Sequence, residues 1–377
     1  MKLYFAPMEG ITGYVFRNAY AACYGGIDTY YTPFLSNPSL NHIELGDVLP
    51  EHNTGLHVVP QILTNRVQVF VAIAKTLKDF GYREVNLNLG CPSGTVVAKG
   101  RGSGALREPK ELDRLLDEIY TQSPLPVSVK TRIGIRSAVE WEDILAVYQR
   151  YPLTELIIHP RVQKQFYKED VCMEAYREAY LAYGLGTWDP MISPAPPETT
   201  GASSPPLLCY NGDIRSAEDA GRIIEAFPAT HALMLGRGLL WNPELAEQIR
   251  GNMSRGTVLV MPKEMPEGTV PMMSRGPASG GMVPTSEGAP SGRRLSYGEA
   301  PESFHDAGKG LRLRRFLDLL YDGYLEEMDR EGPALMKLKE LWAYLKDYAG
   351  LSDAEMRPLW KTKTLAEYRD VVTMLLS

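Results

Sequence analysis

Eight short apolar runs recur along the first 250 residues, and each is followed by a stretch with helical spacing. The runs are Leu3 to Met8, Thr29 to Phe34, His57 to Leu63, Val85 to Leu89, Val127 to Arg132, Glu155 to His159, Leu207 to Asn211 and Ala232 to Gly236. Helices are predicted from about Gly13 to Tyr24, from a cap at Asn65 to Phe80, and from Pro109 to Thr121. Others are predicted from Trp141 to Arg150, from Val171 to Tyr183, from a cap at Ser216 to Phe227, and onward from Asn242 and Pro243. Runs this apolar are expected of parallel strands covered by helices. Two folds fit such an alternation, an open doubly wound sheet and a closed (β/α)8 barrel. The polar residues decide between them. Met8-Glu9-Gly10, Gln61, Asn88 with Cys91, Lys130 with Arg132, His159 with Arg161, Asn211 with Asp213, and Gly236-Arg237 all fall at or just past strand ends. In a barrel those ends meet at one mouth, where barrel enzymes carry their chemistry. The expected fold is therefore an α/β (β/α)8 barrel.

The densest of these strand ends is Glu84 to Leu106. An apolar run stops at Gly90, presents Cys91, turns at Pro92 and opens into a loop with Gly94, Gly100, Gly102 and Gly104 around Lys99 and Arg101. A lone cysteine is as readily a buried structural residue, since free thiols are among the most buried side chains. Its place among the other strand-end polar groups selects the reactive reading.

Two segments interrupt the pattern. Residues 184–206 and 251–308 are rich in Pro, Gly, Ser and Thr or Met, a composition unable to bury enough apolar surface to offset ordering entropy. Both are expected to be flexible insertions, the second of them disordered. Beyond them the character is helical. Leu311, Leu313, Phe316, Leu317, Leu320, Tyr321 and Tyr324 form one stripe, Leu335, Leu338, Leu341, Trp342 and Leu345 a second, and Leu359, Trp360, Leu365, Tyr368, Val371 and Val372 a third, with Ser352 as a cap before the last. The expected organisation is a catalytic barrel over 1–250, an insertion over 251–308 and a small helical bundle over 309–377. Basic residues recur on that bundle but are matched by acidic ones, so only local clustering would make an anionic partner's binding face.

Composition excludes several classes. A chain that is 44% hydrophobic and 23% charged carries a sizeable core, and no apolar run reaches the length of a membrane span. The N-terminus lacks the apolar stretch and cleavage site of a signal peptide. Cys23, Cys91, Cys172 and Cys209 are scattered, without C-x-x-C or zinc spacing. Reduced thiols, no metal and a cytoplasmic location are expected. The net charge of −6 gives no global sign of nucleic-acid binding.

Taken together, A-P-M-E-G at 6–10, Q-I-L at 61–63, N-L-G-C-P at 88–92 with Lys99 ahead of Gly102-Ser103-Gly104, V-K-T-R-x-G at 129–134, H-x-R at 159–161, N-G-D at 211–213 and G-R-G at 236–238 resemble the tRNA-dihydrouridine synthases. The resemblance runs through the barrel in order and continues into K-x-K-E-L-W-x-Y-L at 337–345 and K-x-x-x-L-x-E-Y at 361–368. Gly94-Thr95 and Arg101 depart from the commonest form of the loop.

The resemblance implies an enzyme that binds FMN at the barrel mouth, reduces it with NADPH or NADH, and passes a hydride to C6 of a uridine in tRNA while a proton goes to C5. It implies that Cys91 is the acid, and a thiol must be protonated to act as one. It implies that Lys130 lies by the flavin N1/O2 edge with His159 adding a hydrogen bond, and that Gln61 meets the ring's polar edge. Pro7, Met8 and Glu9 would hold the flavin, and Asn211, Gly212, Asp213, Gly236 and Arg237 its phosphate and ribityl chain. Asn88, Arg161, Lys99 and Arg101 would address the substrate. The helical domain would be a second tRNA contact, and the protein a monomer. Two other readings share parts of this constellation: a flavin enzyme acting on a free pyrimidine, like dihydroorotate dehydrogenase, which needs no such bundle, and a tRNA-binding protein whose barrel no longer catalyses.

Overall fold

The computed structural model describes residues 1–186, 205–254, 308–328 and 330–376. The two predicted insertions lie largely outside these residues. Eight parallel strands close into a barrel in sequence order: β1 (Lys2–Phe5), β2 (Thr29–Leu35), β3 (Val58–Ile62), β4 (Val85–Leu89), β5 (Val127–Arg132), β6 (Glu155–His159), β7 (Leu207–Tyr210) and β8 (Ala232–Leu235), with β8 pairing back to β1. The crossovers carry α1 (Tyr14–Cys23), α2 (His42–Val48), α3 (Val67–Asp79), α4 (Gly94–Ala98), α5 (Pro109–Gln122), α6 (Glu140–Tyr148), α7 (Met173–Ala182) and α8 (Ala217–Ala226). After β8 come α9 (Arg237–Trp241) and α10 (Leu245–Ser254), then a helical region of α11 (Lys309–Met328), α12 (Glu331–Tyr348), α13 (Arg357–Lys361) and α14 (Leu365–Leu375).

The local reasons are those of the sequence pattern. On α3, Phe70, Ile73, Ala74 and Leu77 recur at helical spacing and are all buried. Pro109 opens α5, whose Leu112, Leu115, Leu116 and Ile119 face the barrel wall. Ser216 caps α8 in a reciprocal box with Asp219. Period two along the strands then sorts the interior. Tyr4, Tyr31, Val59, Ile157, Cys209, Ala232 and Met234 form a small inner core separate from the larger cluster under the helices. Two residues further along, towards the C-terminal ends, the same faces carry Gln61, Lys130, His159 and Asn211. Two residues back, Glu155 accepts hydrogen bonds from the Tyr4 and Tyr31 hydroxyls at 3.0 Å each.

Several expected details differ. Asn65 does not cap α3: the helix starts one residue later, after Arg66, whose N–H donates to the Thr64 hydroxyl, and the Asn65 amide donates to the Lys99 carbonyl. The loop after Cys91 is folded into α4 and a 3-10 turn over Gly102–Arg107. The helix expected at Asn242 is two helices, with α9 beginning at Arg237. Ser352 and Glu355 exchange hydrogen bonds in the turn before α13, whereas Thr364 caps α14. The helix α2 was not predicted although its signal is present: Asn41 and Glu44 form a capping box.

The helical region packs on the barrel through α11 and α1. The Phe316 ring meets the rings of Phe16, Tyr20 and Tyr24 edge-on at 5.4, 6.4 and 5.5 Å. Arg312 donates to the Cys23 carbonyl and pairs with Glu244 and Glu247, its guanidinium 4.7 Å over the Tyr24 ring.

Candidate active site

A cavity opens at the C-terminal ends of the strands. Its walls are Ala6, Pro7 and Met8 after β1, Lys130 on β5, His159 on β6 with Tyr167 beyond it, Asn211 to Arg215 after β7, and Gly236 to Gly238 with Trp241 after β8. Nine residues predicted from sequence for a cofactor meet here: Pro7, Met8, Lys130, His159, Asn211, Gly212, Asp213, Gly236 and Arg237. Tyr167, Arg215 and Trp241 were missed. Trp241 sits just past the G-R-G word, but Tyr167 lies in a connecting loop with no pattern to mark it.

The wall is held by backbone geometry. Asn211 donates its side-chain amide to the Met234 carbonyl at 2.8 Å, tying the β7 loop to β8. Gly238 packs so tightly that an added Cβ would lie 2.2 Å from the Ile214 carbonyl oxygen, which seats α9 against the β7 loop. Arg132 is 1% exposed and donates to the carbonyls of Gly90, Val162 and Phe166. That last bond closes the loop carrying Tyr167, in which Phe166 takes the strained φ of 48°. The Tyr167 ring then stacks on His159 at 5.7 Å and lies 4.1 Å from the Arg237 guanidinium.

Electrostatically the site is a cationic concavity. Burial lowers the Lys130 ammonium to about 8, helped by nearby Arg132. Burial, then Arg132, Lys130, Arg161 and Arg237, push His159 well below the ordinary imidazole range. His159 is therefore neutral, and its Nε2 accepts from Arg161 at 3.2 Å, which leaves the ring proton on Nδ1. Asp213 is held below the usual carboxylate range, the hydrogen bond and charge of Arg161 and the charge of Arg237 outweighing its burial. Arg161, 1% exposed, spends its guanidinium on Asp213, His159 and the Glu169 carbonyl. The substrate role expected for Arg161 thus falls on a side chain already engaged inside the wall.

Cys91 stands beside this cavity. A chain of amides positions it: Asn86 donates to Ser128, Gln61 donates to Asn86, Asn88 donates to Gln61, and the Asn88 carbonyl oxygen accepts from the Gly90 and Cys91 N–H groups at 3.0 and 2.9 Å. Gln61 and Asn88 therefore act on each other and on the Cys91 turn, and neither lines the cavity. Burial pushes the Cys91 thiol up, as does Glu9, against smaller opposing effects from a Ser93 backbone contact, Lys130 and Arg132. The thiol stays protonated at neutral pH. Lys99 is exposed and Arg101 half-buried on the loop beyond, outside the cavity wall. Among the described residues no group of three His, Cys, Asp or Glu is placed to hold a metal ion, and no helix is long and apolar enough to cross a membrane.

A closed eight-stranded barrel with a neutral imidazole, a depressed lysine and a protonated thiol at its C-terminal mouth defines a (β/α)8-barrel enzyme. The family model for dihydrouridine synthase matches residues 4–177. A probable tRNA-dihydrouridine synthase of Staphylococcus epidermidis is 29% identical over 242 residues, 63% of this chain and 68% of that protein. A probable tRNA-dihydrouridine synthase 2 of Bacillus subtilis is 27% identical over 242 residues, 63% of this chain and 69% of its own length. Among solved structures, morphinone reductase aligns with a TM-score of 0.43 and 13% identity over 67% of this chain and 86% of its own. Over residues 4–177 the chain is similar to the dihydrouridine synthase family, and the curated relatives it matches are named as probable tRNA-dihydrouridine synthases.

Proposed function

We propose that this enzyme reduces the C5=C6 bond of uridines in tRNA to 5,6-dihydrouridine, using FMN recharged by NADPH or NADH. The observation that carries the reading is the placement of a protonated thiol, Cys91, beside a buried cationic cavity at one barrel mouth. The residues present fit the cofactor: the cavity gathers Lys130, Arg215 and Arg237, and its one carboxylate, Asp213, is already neutralised by Arg161. FMN, when bound, supplies the hydride that goes to C6. The Asn211–Asp213 and Gly236–Arg237 loops hold its phosphate and ribityl chain, at the strand positions where barrels bind phosphate. Pro7, Met8 and Glu9 hold the opposite side. Lys130, with its proton in place, would offset negative charge on the cofactor ring, and neutral His159 would donate from Nδ1.

The proton to C5 comes from the Cys91 Sγ, leaving a thiolate that Lys130 and Arg132 stabilise until solvent returns the proton. Asn88 fixes the turn that aims the thiol, and Lys99 and Arg101 extend the rim toward RNA phosphates. The helical region supplies the second tRNA contact, as a base that must leave its stack requires. The free-pyrimidine alternative is disfavoured, because such an enzyme has no need of the helical region docked on α1.

The test is titration of the purified chain with FMN at several pH values. An anionic ligand favours the charged Lys130, so affinity is expected to fall as pH rises through about 8. Lys130→Met is expected to bind more weakly and without that dependence. A wild-type chain that neither carries nor takes up FMN would sink the reading.

A further inference from the structure

We propose that Tyr344, on α12 of the helical region, is a positioning residue for the cationic β7–β8 side of the cavity, so that affinity for the cofactor phosphate depends on how that region is docked. The inference rests on the FMN reading above. Helix α9 carries Arg237 at its first position and Trp241 at its last, and both line the cavity. The Arg215 and Arg237 guanidinium carbons lie 4.9 and 5.3 Å from the Trp241 ring centre. A ring's negative face offsets the repulsion between two such cations and fixes where they sit. The indole is in turn backed by the Tyr344 ring, with centroids 6.2 Å apart and planes at 50°. Tyr344 is half-buried and feels the charge of Arg237.

Helix α12 is not free to retreat. It packs on α11, which Phe316 and Arg312 pin to α1 and α10. A continuous set of contacts thus runs from the barrel flank through the helical region and back to the cavity. Because Gly238 leaves no slack between α9 and Ile214, a change behind Trp241 is passed to the two arginines.

The experiment is FMN titration of the full chain, followed by flavin fluorescence, for wild type, Y344A, Y344F, W241A and the Y344A/W241A pair, each at low and high salt. Y344A is expected to weaken FMN about five- to ten-fold, the size of one aromatic contact. It is expected to flatten the salt dependence, because the arginines no longer converge. Y344F is expected to bind within about two-fold of wild type, since the contact is ring to ring. The pair is expected to be no worse than W241A alone. Melting without FMN reports folding, and Y344L carries the comparison if Y344A does not fold. Y344A or Y344L binding FMN like wild type, with W241A weakened, would overturn the inference and leave the cofactor reading intact. Failure of the wild type to bind would instead overturn the reading.

Discussion

At the scale of single residues, burial does most of the chemical tuning. It raises Cys91, lowers Lys130 and His159, and raises Glu155 to about 7. Glu155 lies at the opposite end of the barrel from the mouth and has no part in the reaction. Its raised value means the folded state binds that proton more tightly than the unfolded chain, whose carboxyl titrates near 4.5. Stability from this group is fully present below the unfolded value and is lost as pH rises to about 7, levelling above it. The loss amounts to about 3 kcal/mol. Glu155→Gln is expected to remove that slope, keeping a hydrogen bond to each of Tyr4 and Tyr31. Calorimetric melting of both proteins between pH 5 and 8 checks it, and parallel curves would show that Glu155 titrates normally. None of this was legible in the sequence, where Glu155 is merely the first residue of an apolar run; a carboxylate's environment appears only when strands more than a hundred residues apart converge.

At the scale of elements, strand ends were legible because near-continuous apolar runs stop abruptly there, and eight of eight strands lie within a few residues of their predicted bounds. Loops were not. The segment after Cys91 reads as an open Gly-rich loop, yet it folds back so that the Ser103 N–H and hydroxyl both donate to the Cys91 carbonyl, at 3.1 and 2.8 Å. Gly102 makes that approach possible: its φ is +54°, and an added Cβ would lie 2.8 Å from the Cys91 carbonyl oxygen. Gly102→Ala is therefore expected to displace the thiol and lower turnover on tRNA by about 10²-fold with FMN content unchanged. Gly94→Ala, with nothing within 4 Å of the new methyl, is the control and is expected to be near wild type. Equal rates for the two variants, measured with saturating tRNA, would mean the turn does not aim Cys91. Arg161 shows the other limit of sequence reading. The H-x-R word marks it as functional, but only the fold reveals that its guanidinium contacts Asp213, His159 and the backbone carbonyl of Glu169.

At the scale of the whole molecule, the barrel offers one mouth with two unlike halves. The β5–β8 half is cationic and deep, and the β4 half presents a thiol on a turn fixed by Asn88. Two halves are what the proposed reduction of a carbon–carbon double bond would demand, since hydride and proton would arrive at different carbons from different donors. The order of the chain made this split readable, with Cys91 on one strand end and Lys130 and His159 on the next two. The contribution of the helical region was not, because ring contacts such as Trp241 with Tyr344 join residues a hundred positions apart. The most direct measurement is stopped-flow on the two half-reactions of Cys91→Ala. FMN content and reduction by the nicotinamide are expected to match wild type, and reoxidation by tRNA to fall by about 10²–10⁴, the worth of a positioned general acid. Reoxidation at the wild-type rate would contradict the account, because the proton would then come from water or another side chain.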